Sequence, residues 1–202
     1  MSRHDRHRSD NRRISVANEA ARLIQEQGLT DYRAAKAKAI ERLGLRSAGT
    51  LPSNGEVELA LAERQRIFSG DEHADHIRDL REAALSVMRV LEAFRPRLVG
   101  AVLSGNATPH GTIELHVFSD SPEVVGTNLD ALGIRHRASQ FRHQFRRRQP
   151  EQYPGFRFVA EEYEFTVTVF TERQRRARPL SRIDGRPMQR GSIRDVEALI
   201  GS

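Results

Sequence analysis

The sequence predicts an α+β protein in which a helical module precedes a domain that contains both helices and strands. Apolar residues recur at helical spacing as far as about residue 94, and the alternation typical of strands begins after Arg95-Pro96. No segment of the chain repeats. We therefore divide the 202 residues into a basic tail over 1–13 that is expected to be disordered, a helical module over 14–72 and an α+β domain over 73–202.

Four helices are expected in the first half of the chain. Gly28 follows the first apolar run in the position of a C-cap, Asp31 is placed to cap a second helix, and Gly44 ends that helix. The stretch EVELALAERQRIF (56–68) predicts a third helix after a turn. A fourth helix, over about 74–94, has the most regular three-and-four spacing of apolar residues in the chain.

The second half of the chain predicts strands. LVGAVL (98–103) and TIELHVF (112–118) indicate two short strands, and a helix over 122–132 follows them. FRFVA (156–160) and YEFTVTVF (163–170) indicate a strand pair joined near Glu161-Glu162. The arginine-rich stretches 135–150 and 171–191 are interpreted as loops, and SIRDVEALI is interpreted as a final helix capped by Ser192 and Asp195.

Composition limits the kinds of partner. The chain has 33 Lys and Arg against 27 Asp and Glu, and every one of the basic residues except Lys36 and Lys38 is arginine. Arginine binds phosphate through a fixed fork of donors, so an anionic partner is one explanation, and the base composition of the genome is the other. The chain has no cysteine, which excludes disulfides and cysteine-bound zinc and fits a cytoplasmic protein. Its longest apolar stretch, 98–103, is far shorter than the roughly 20 residues that cross a bilayer, so no membrane partner is expected.

The stretch GAVLSGNATPHGTIELHVF (100–118) is the candidate functional segment. Its glycines permit close approach of a ligand, and the backbone N–H groups of such a loop can bind phosphate. Alternate residues of a strand share a face, so Thr112, Glu114 and His116 are expected to project together. A Mg²⁺-nucleotide site and an ordinary glycine-rich hairpin both explain this pattern.

LVGAVLSGNATPHGTIELHV (98–117) resembles the signature of the polymerase-β-like nucleotidyltransferases. In that signature an apolar residue, a Gly and a Gly or Ser precede a loop and then two acids separated by one apolar residue; here Val99-Gly100 enters the loop and Ile113-Glu114-Leu115 follows it. The resemblance covers about 98–170, and the same organisation is similar to that of a group of bacterial proteins. It implies a small mixed sheet flanked by helices, with a later strand that supplies a further acid, Glu164.

The resemblance also implies roles for individual residues. Glu114 and Glu164 would be catalytic, and together with His116 they would hold Mg²⁺. The residues that would contact the nucleotide and its phosphates are Gly100, Ser104, Gly105, Thr112, Arg142 and Arg146.

Two departures from the signature weaken the implied activity. Ala101 replaces the family's Ser, and Thr112 occupies the place of the first acid; in a frame shifted by one step, Glu114 is the first acid and His116 the second ligand. In either frame one carboxylate remains on the strand, whereas a site for two Mg²⁺ ions requires more carboxylates. The expectation is a nucleotidyltransferase-like protein that binds nucleotide or nucleic acid, with a degenerate site and at most weak nucleotidyl transfer.

A non-enzymatic regulator that binds DNA or RNA is the alternative. It would use the N-terminal helices and the arginine-rich loops, with Phe141, Phe145 and Tyr153 available for base stacking beside the arginines of 142–148. The helical module is expected to pack on the α+β domain or on a second copy of the chain, so a homodimer stays among the alternatives.

Overall fold

The computed structural model of the protein describes residues 3–29, 31–45, 51–68, 70–109, 111–146 and 148–201. The chain forms two compact units. The helical unit comprises Met1–Ala74 with the short segments Thr108–His110 and Arg182–Asp184, and the sheet unit comprises the rest. The main division between the units thus falls after Ala74, whereas the sequence predicts it after residue 72.

The helical unit contains α1 (Arg3–Gln27), α2 (Tyr32–Arg42) and α3 (Asn54–Phe68). Three predicted end signals are confirmed: Gly28 and Gly44 adopt positive φ after α1 and α2, and the Asp31 side chain accepts from the N–H groups of Arg33 and Ala34. Ten buried side chains form its core: Val16, Ala17, Ala20, Ala21, Leu23, Ile24, Ala35, Ala39, Val57 and Leu61. Five of them are alanines, which allow the helices to approach closely.

The expected disorder of the basic tail is wrong for residues 3–13, because α1 begins at Arg3. A helix that is already packed through Val16 to Ile24 extends cheaply, since each added residue fixes one backbone hydrogen bond without a new nucleus. Arg13 also anchors this stretch, because its Nε donates to Glu56 of α3 at 2.7 Å.

The sheet unit has α+β architecture, as predicted. α4 (Gly70–Val90) begins in the helical unit and a 3₁₀ turn (Glu92–Phe94) follows it. The remaining elements are β1 (Arg97–Val99), α5 (Gly100–Ser104), β2 (Ile113–Phe118), α6 (Pro122–Ala131), β3 (His136–His143), β4 (Glu151–Ala160), β5 (Tyr163–Phe170), a second 3₁₀ turn (Glu172–Arg175) and α7 (Ile193–Ile200). The strands form a five-stranded mixed sheet in the order β1-β2-β5-β4-β3, in which β2 and β5 are parallel and the other neighbours antiparallel.

One face of the sheet carries the main core. Ile113, Leu115 and Val117 of β2 alternate with polar positions, as do Phe165, Val167 and Val169 of β5, and these residues join one buried cluster with apolar side chains of α4, α6 and α7. We call the opposite face the polar face. At one end of the polar face lies an aromatic cluster, which consists of Phe118, Phe145, Tyr153 and Phe170.

Two predicted elements differ in the structure. LVGAVL is a strand only as far as Val99, because Gly100 turns the chain at φ 70° and a short helix follows. The stretch 136–143, interpreted as loop, is the edge strand β3, paired along its whole length with β4. No helix among the described residues is long and apolar enough to span a membrane.

Candidate functional site on the polar face of the sheet

Glu114 and Glu164 lie on the same face of the sheet. Glu114 pairs with Thr166 in the parallel β2–β5 register, and Glu164 stands two residues before Thr166 on β5. Side chains two residues apart on a strand share a face, so the two carboxylates are diagonal neighbours on the polar face. Both side chains are exposed. The structure therefore brings together the two acids that the resemblance singles out.

Gly100 forms the floor beneath the Glu114 carboxylate. A Cβ placed on Gly100 would lie 3.1 Å from Glu114 Oε1 and 3.3 Å from its carboxyl carbon. Gly100 also has φ 70°, a conformation that side chains other than glycine rarely adopt. Glycine at this position thus serves two needs, the turn from β1 into α5 and the space that the carboxylate occupies.

A row of polar side chains crosses four strands of the polar face. Glu114 pairs with Thr166, Thr166 pairs with Arg157 of β4, and Arg157 pairs with Arg137 of β3. We call these four residues the cross-strand row. It runs from a carboxylate through a hydroxyl to two exposed guanidinium groups.

The arginine end of the row rests on an aromatic ring. The Arg157 guanidinium lies 5.3 Å from the centroid of the Phe141 ring, within the range of a cation–π contact. The Phe141 ring in turn lies above Gly155, where an added Cβ would be 2.7 Å from the ring and would also collide with the backbone of β5. Glycine at 155 thus lets Phe141 lie flat against the sheet, so the ring supports the arginine.

The resemblance implies that His116 is a metal ligand, but the structure gives this side chain a different role. Its side chain is 1% exposed, and its Nδ1 accepts a hydrogen bond from Arg190 Nε at 3.2 Å. Burial holds the pKa of His116 well below its ordinary value, and the positive charge of Arg190 and the neighbouring His143 lower the pKa further. The neutral ring is therefore a buried acceptor for Arg190 and does not share the solvent-exposed position of Glu114.

The segment after β1 uses its polar groups within α5. The Ser104 hydroxyl donates to the Ala101 carbonyl at 3.2 Å, and Gly105, at φ 83°, caps the helix with its N–H on the same carbonyl. Thr112 stands one residue before β2 and is half-buried. The remaining histidine of this stretch, at position 110, lies outside the described residues.

Arg142 and Arg146 are separated from the two acids. Arg142 alternates along β3 with Phe141 and His143, and His143 reaches Thr168 on the polar face, so Arg142 projects from the opposite face. Arg146 is exposed in the turn after β3. The rings proposed for base stacking are occupied as well, since Phe145 and Tyr153 are buried in the aromatic cluster.

Sequence reasoning missed the arginines of the polar face. Arg157 had a usable signal, because it stands between the buried Phe156 and Phe158, at the position where an alternating strand places its exposed residues. Arg137 had none, since the few apolar residues of β3 do not alternate with its polar residues. Within the described ranges, no three His, Cys, Asp or Glu side chains lie close enough to form a metal centre.

No protein family, curated protein or solved structure matches the chain. The proposed function therefore rests on the geometry of the site.

Proposed function

We propose that the protein binds a nucleotide on the polar face of its sheet, as a nucleotidyltransferase-like protein with a reduced metal site. The observation that supports this proposal best is the cross-strand row, in which Glu114 and the pair Arg157–Arg137 flank Thr166 on one exposed surface. A carboxylate that can hold a cation and guanidinium groups that can hold phosphate are the two chemistries that a metal-bound nucleotide needs.

The acids fit a single magnesium ion. Glu114 and Glu164 offer carboxylate oxygens, the ligands that Mg²⁺ prefers, and the Thr166 hydroxyl lies on the same face. His116 does not fit, because it is buried and engaged with Arg190. A bound Mg²⁺ would neutralise phosphate charge. Catalysis by two metal ions would need further carboxylates. We therefore expect the protein to bind nucleotide and to catalyse at most weak nucleotidyl transfer.

The arginines of the row are suited to phosphate. Arginines of the sheet unit that form ion pairs include Arg78, Arg89, Arg95 and Arg175, and within the described residues neither Arg137 nor Arg157 has an acidic partner. The two residues are cross-strand partners, so their like charges repel unless an anion lies between them. A phosphate at this position would accept from both guanidinium forks.

The helical unit gives little support to the alternative function, a regulator that binds DNA or RNA. Several of its arginines form ion pairs with neighbouring acids, namely Arg13–Glu56, Arg22–Glu19, Arg64–Glu26 and Arg66–Glu63. The connection between α2 and α3 runs from residue 43 to residue 53, longer than the three- or four-residue turn of a helix-turn-helix motif. We therefore place the anion-binding surface on the sheet.

Fluorescence anisotropy with a labelled nucleoside triphosphate tests the proposal. Arg157→Gln is expected to weaken binding about tenfold, the value of one charge-assisted hydrogen bond. Arg142→Gln removes the same charge from the opposite face and is the matched control, expected to leave the affinity unchanged. Glu114→Gln is expected to abolish the part of the affinity that depends on Mg²⁺.

Two results would contradict the proposal. One is the absence of any nucleotide binding to the unmodified protein, with or without Mg²⁺ or Mn²⁺. The other is oligonucleotide binding that falls steeply with salt but is unaffected by Arg157→Gln, which would favour the regulator instead. Incubation with nucleoside triphosphate labelled at the α-phosphate reports any transfer of the nucleotidyl group separately from binding.

A further inference from the structure

Three arginines meet at the β1 edge of the polar face. Arg97 pairs with His116 in the β1–β2 register, so the two side chains are on the same face. Arg190 donates from Nε to His116 Nδ1 at 3.2 Å and from Nη1 to the Ala177 carbonyl at 2.8 Å. Arg178 directly follows Ala177 in the chain and is exposed. We call Arg97, Arg178 and Arg190 the arginine cluster.

Arg190 is fixed in place by neutral groups. Besides His116 and Ala177, its guanidinium donates to the Arg175 carbonyl at 3.1 Å. It lies 5.1 Å from the Phe118 ring centroid and 5.4 Å from that of Phe170. The remaining nitrogen, Nη2, is buried without a hydrogen-bond partner among the described residues. A buried donor without a partner is uncommon in folded proteins, and a bound ion nearby is one explanation for it.

Within the described residues, none of the three arginines of the cluster forms an ion pair with an acid. The ion pairs of the sheet unit use other arginines. Asp195 lies within Coulomb range of Arg97, and its carboxylate also accepts from the N–H and the hydroxyl of Ser192, both at 2.7 Å. The three like charges of the cluster repel one another, and a bound anion would relieve this repulsion.

The pKa of Arg190 agrees with the presence of two further positive charges near it. Burial is the main reason that the pKa of Arg190 falls to about 10, and the charges of Arg178 and Arg97 lower the pKa further. At neutral pH the guanidinium is still charged. The cluster is thus a region of concentrated positive potential. The exposed carboxylate of Glu114 stands two residues before His116 on β2, on the same face of the sheet.

We propose that the arginine cluster binds a polyphosphate anion, either free pyrophosphate or the phosphate chain of a nucleotide. The exposed Arg178 and the half-buried Arg97 contact the anion, and Arg190 supplies a charge that its carbonyl contacts hold in position. The site uses neither the two acids nor the cross-strand row. It therefore goes beyond the proposed function, and either one can fail without the other.

Calorimetric titration of the full chain with pyrophosphate, in the absence of divalent cations, tests the site. Arg97→Gln and Arg178→Gln are each expected to weaken binding tenfold or more, because each removes a charge-assisted contact. Arg178 is exposed, so its substitution should leave the fold intact, which circular dichroism checks. Arg135→Gln is the control, since it removes an exposed charge beside β3, the strand at the other edge of the sheet.

The source of the phosphate is resolved by a second titration. A nucleoside triphosphate that binds more tightly than pyrophosphate, and that loses the same factor in Arg178→Gln, assigns the site to a nucleotide. Equal affinity for the two ligands, with the same loss, assigns it to free polyphosphate. The proposal is overturned if pyrophosphate does not bind, if Arg135→Gln weakens binding as much as Arg178→Gln, or if the chain binds single-stranded RNA but not pyrophosphate.

Discussion

At the scale of single residues, Gly100 and Glu114 form the contact on which the proposed metal site depends. The sequence alone suggests a glycine that approaches a ligand, whereas the structure shows a glycine that approaches a carboxylate of the same chain. The sequence also places His116 on the same face as Glu114, which is correct. The sequence could not reveal that Arg190, 74 residues away along the chain, would donate a hydrogen bond to the buried His116.

Gly100→Ala is expected to act on both stability and ligand binding. The left-handed backbone alone costs about 1–2 kcal/mol of unfolding free energy for a residue with a Cβ. Gly133 is a matched control, because it has φ 71° and nothing within 4 Å of an added Cβ. Chemical denaturation should show similar losses for Gly100→Ala and Gly133→Ala.

Only Gly100→Ala should also displace Glu114 and reduce the Mg²⁺-dependent part of the nucleotide affinity, as anisotropy would measure. Equal Mg²⁺-dependent affinity in the two variants would contradict the proposed position of the metal.

His116 predicts a dependence of stability on pH. Its pKa in the folded state is lowered well below its ordinary value of 6.5, chiefly by burial, and Arg190 and His143 face it. The stabilisation is therefore complete above pH 6.5 and is lost as the pH falls below 6.5, because only the unfolded chain then takes up the proton. The loss approaches about 1.4 kcal/mol per pH unit for one proton.

Denaturation titrations at pH 7, 6 and 5 measure this dependence. His116→Gln keeps an acceptor for Arg190 and is expected to show a smaller decrease in unfolding free energy over that range. Identical decreases in the two proteins would show that another group is responsible.

At the scale of elements, the end signals of helices were predictable and pairing was not. Gly28, Asp31 and the Ser192–Asp195 capping box act locally, so the sequence identifies them correctly. The strand β3 depends on a partner. Its two apolar residues, Ala138 and Phe141, lie three positions apart and so on opposite faces, and pairing with β4 along eight residue pairs holds the strand extended. Local alternation contains no trace of such an edge strand.

The start of α3 combines a cap with an ion pair. Ser53 N donates to Glu56 Oε2 at 2.9 Å, Glu56 N donates to the Ser53 hydroxyl at 3.2 Å, and Arg13 of α1 also donates to Glu56. The hydrogen bond from Arg13 is the largest reason that the pKa of Glu56 falls to about 2. This carboxylate therefore contributes stability above pH 4.5, and the contribution is lost as the pH falls toward 2.

Glu56→Ala should lower the unfolding free energy by about 1 kcal/mol at pH 7, the typical value of a helix cap. The difference from the unmodified protein should shrink in acid, where denaturation at pH 3 measures it. Glu63→Ala is the control, because Glu63 pairs with Arg66 on the exposed surface of the same helix. A larger loss for Glu63→Ala than for Glu56→Ala would contradict the role of the cap.

At the scale of the whole molecule, the distribution of charge is more informative than its sum. The net charge of +6 does not say where on the molecule positive charge is concentrated. The structure separates the arginines that neighbouring acids neutralise, which occur in both units, from those of the cross-strand row and the arginine cluster in the sheet unit. The mixed fold and the shared face of Glu114 and Glu164 were predictable, whereas the arginines that surround them required the register of the strands.

The measurement that tests the central claim most directly is the position of a bound metal-nucleotide on the sheet. We expect Mn²⁺ with a nucleoside triphosphate, titrated into ¹⁵N-labelled protein, to broaden first the amide signals of Glu114, Arg157 and Thr166. Signals from α6, which packs on the opposite face through Gly126 and Phe156, should broaden last. Broadening that begins in α6, or that spreads evenly over the sheet, would contradict binding on the polar face.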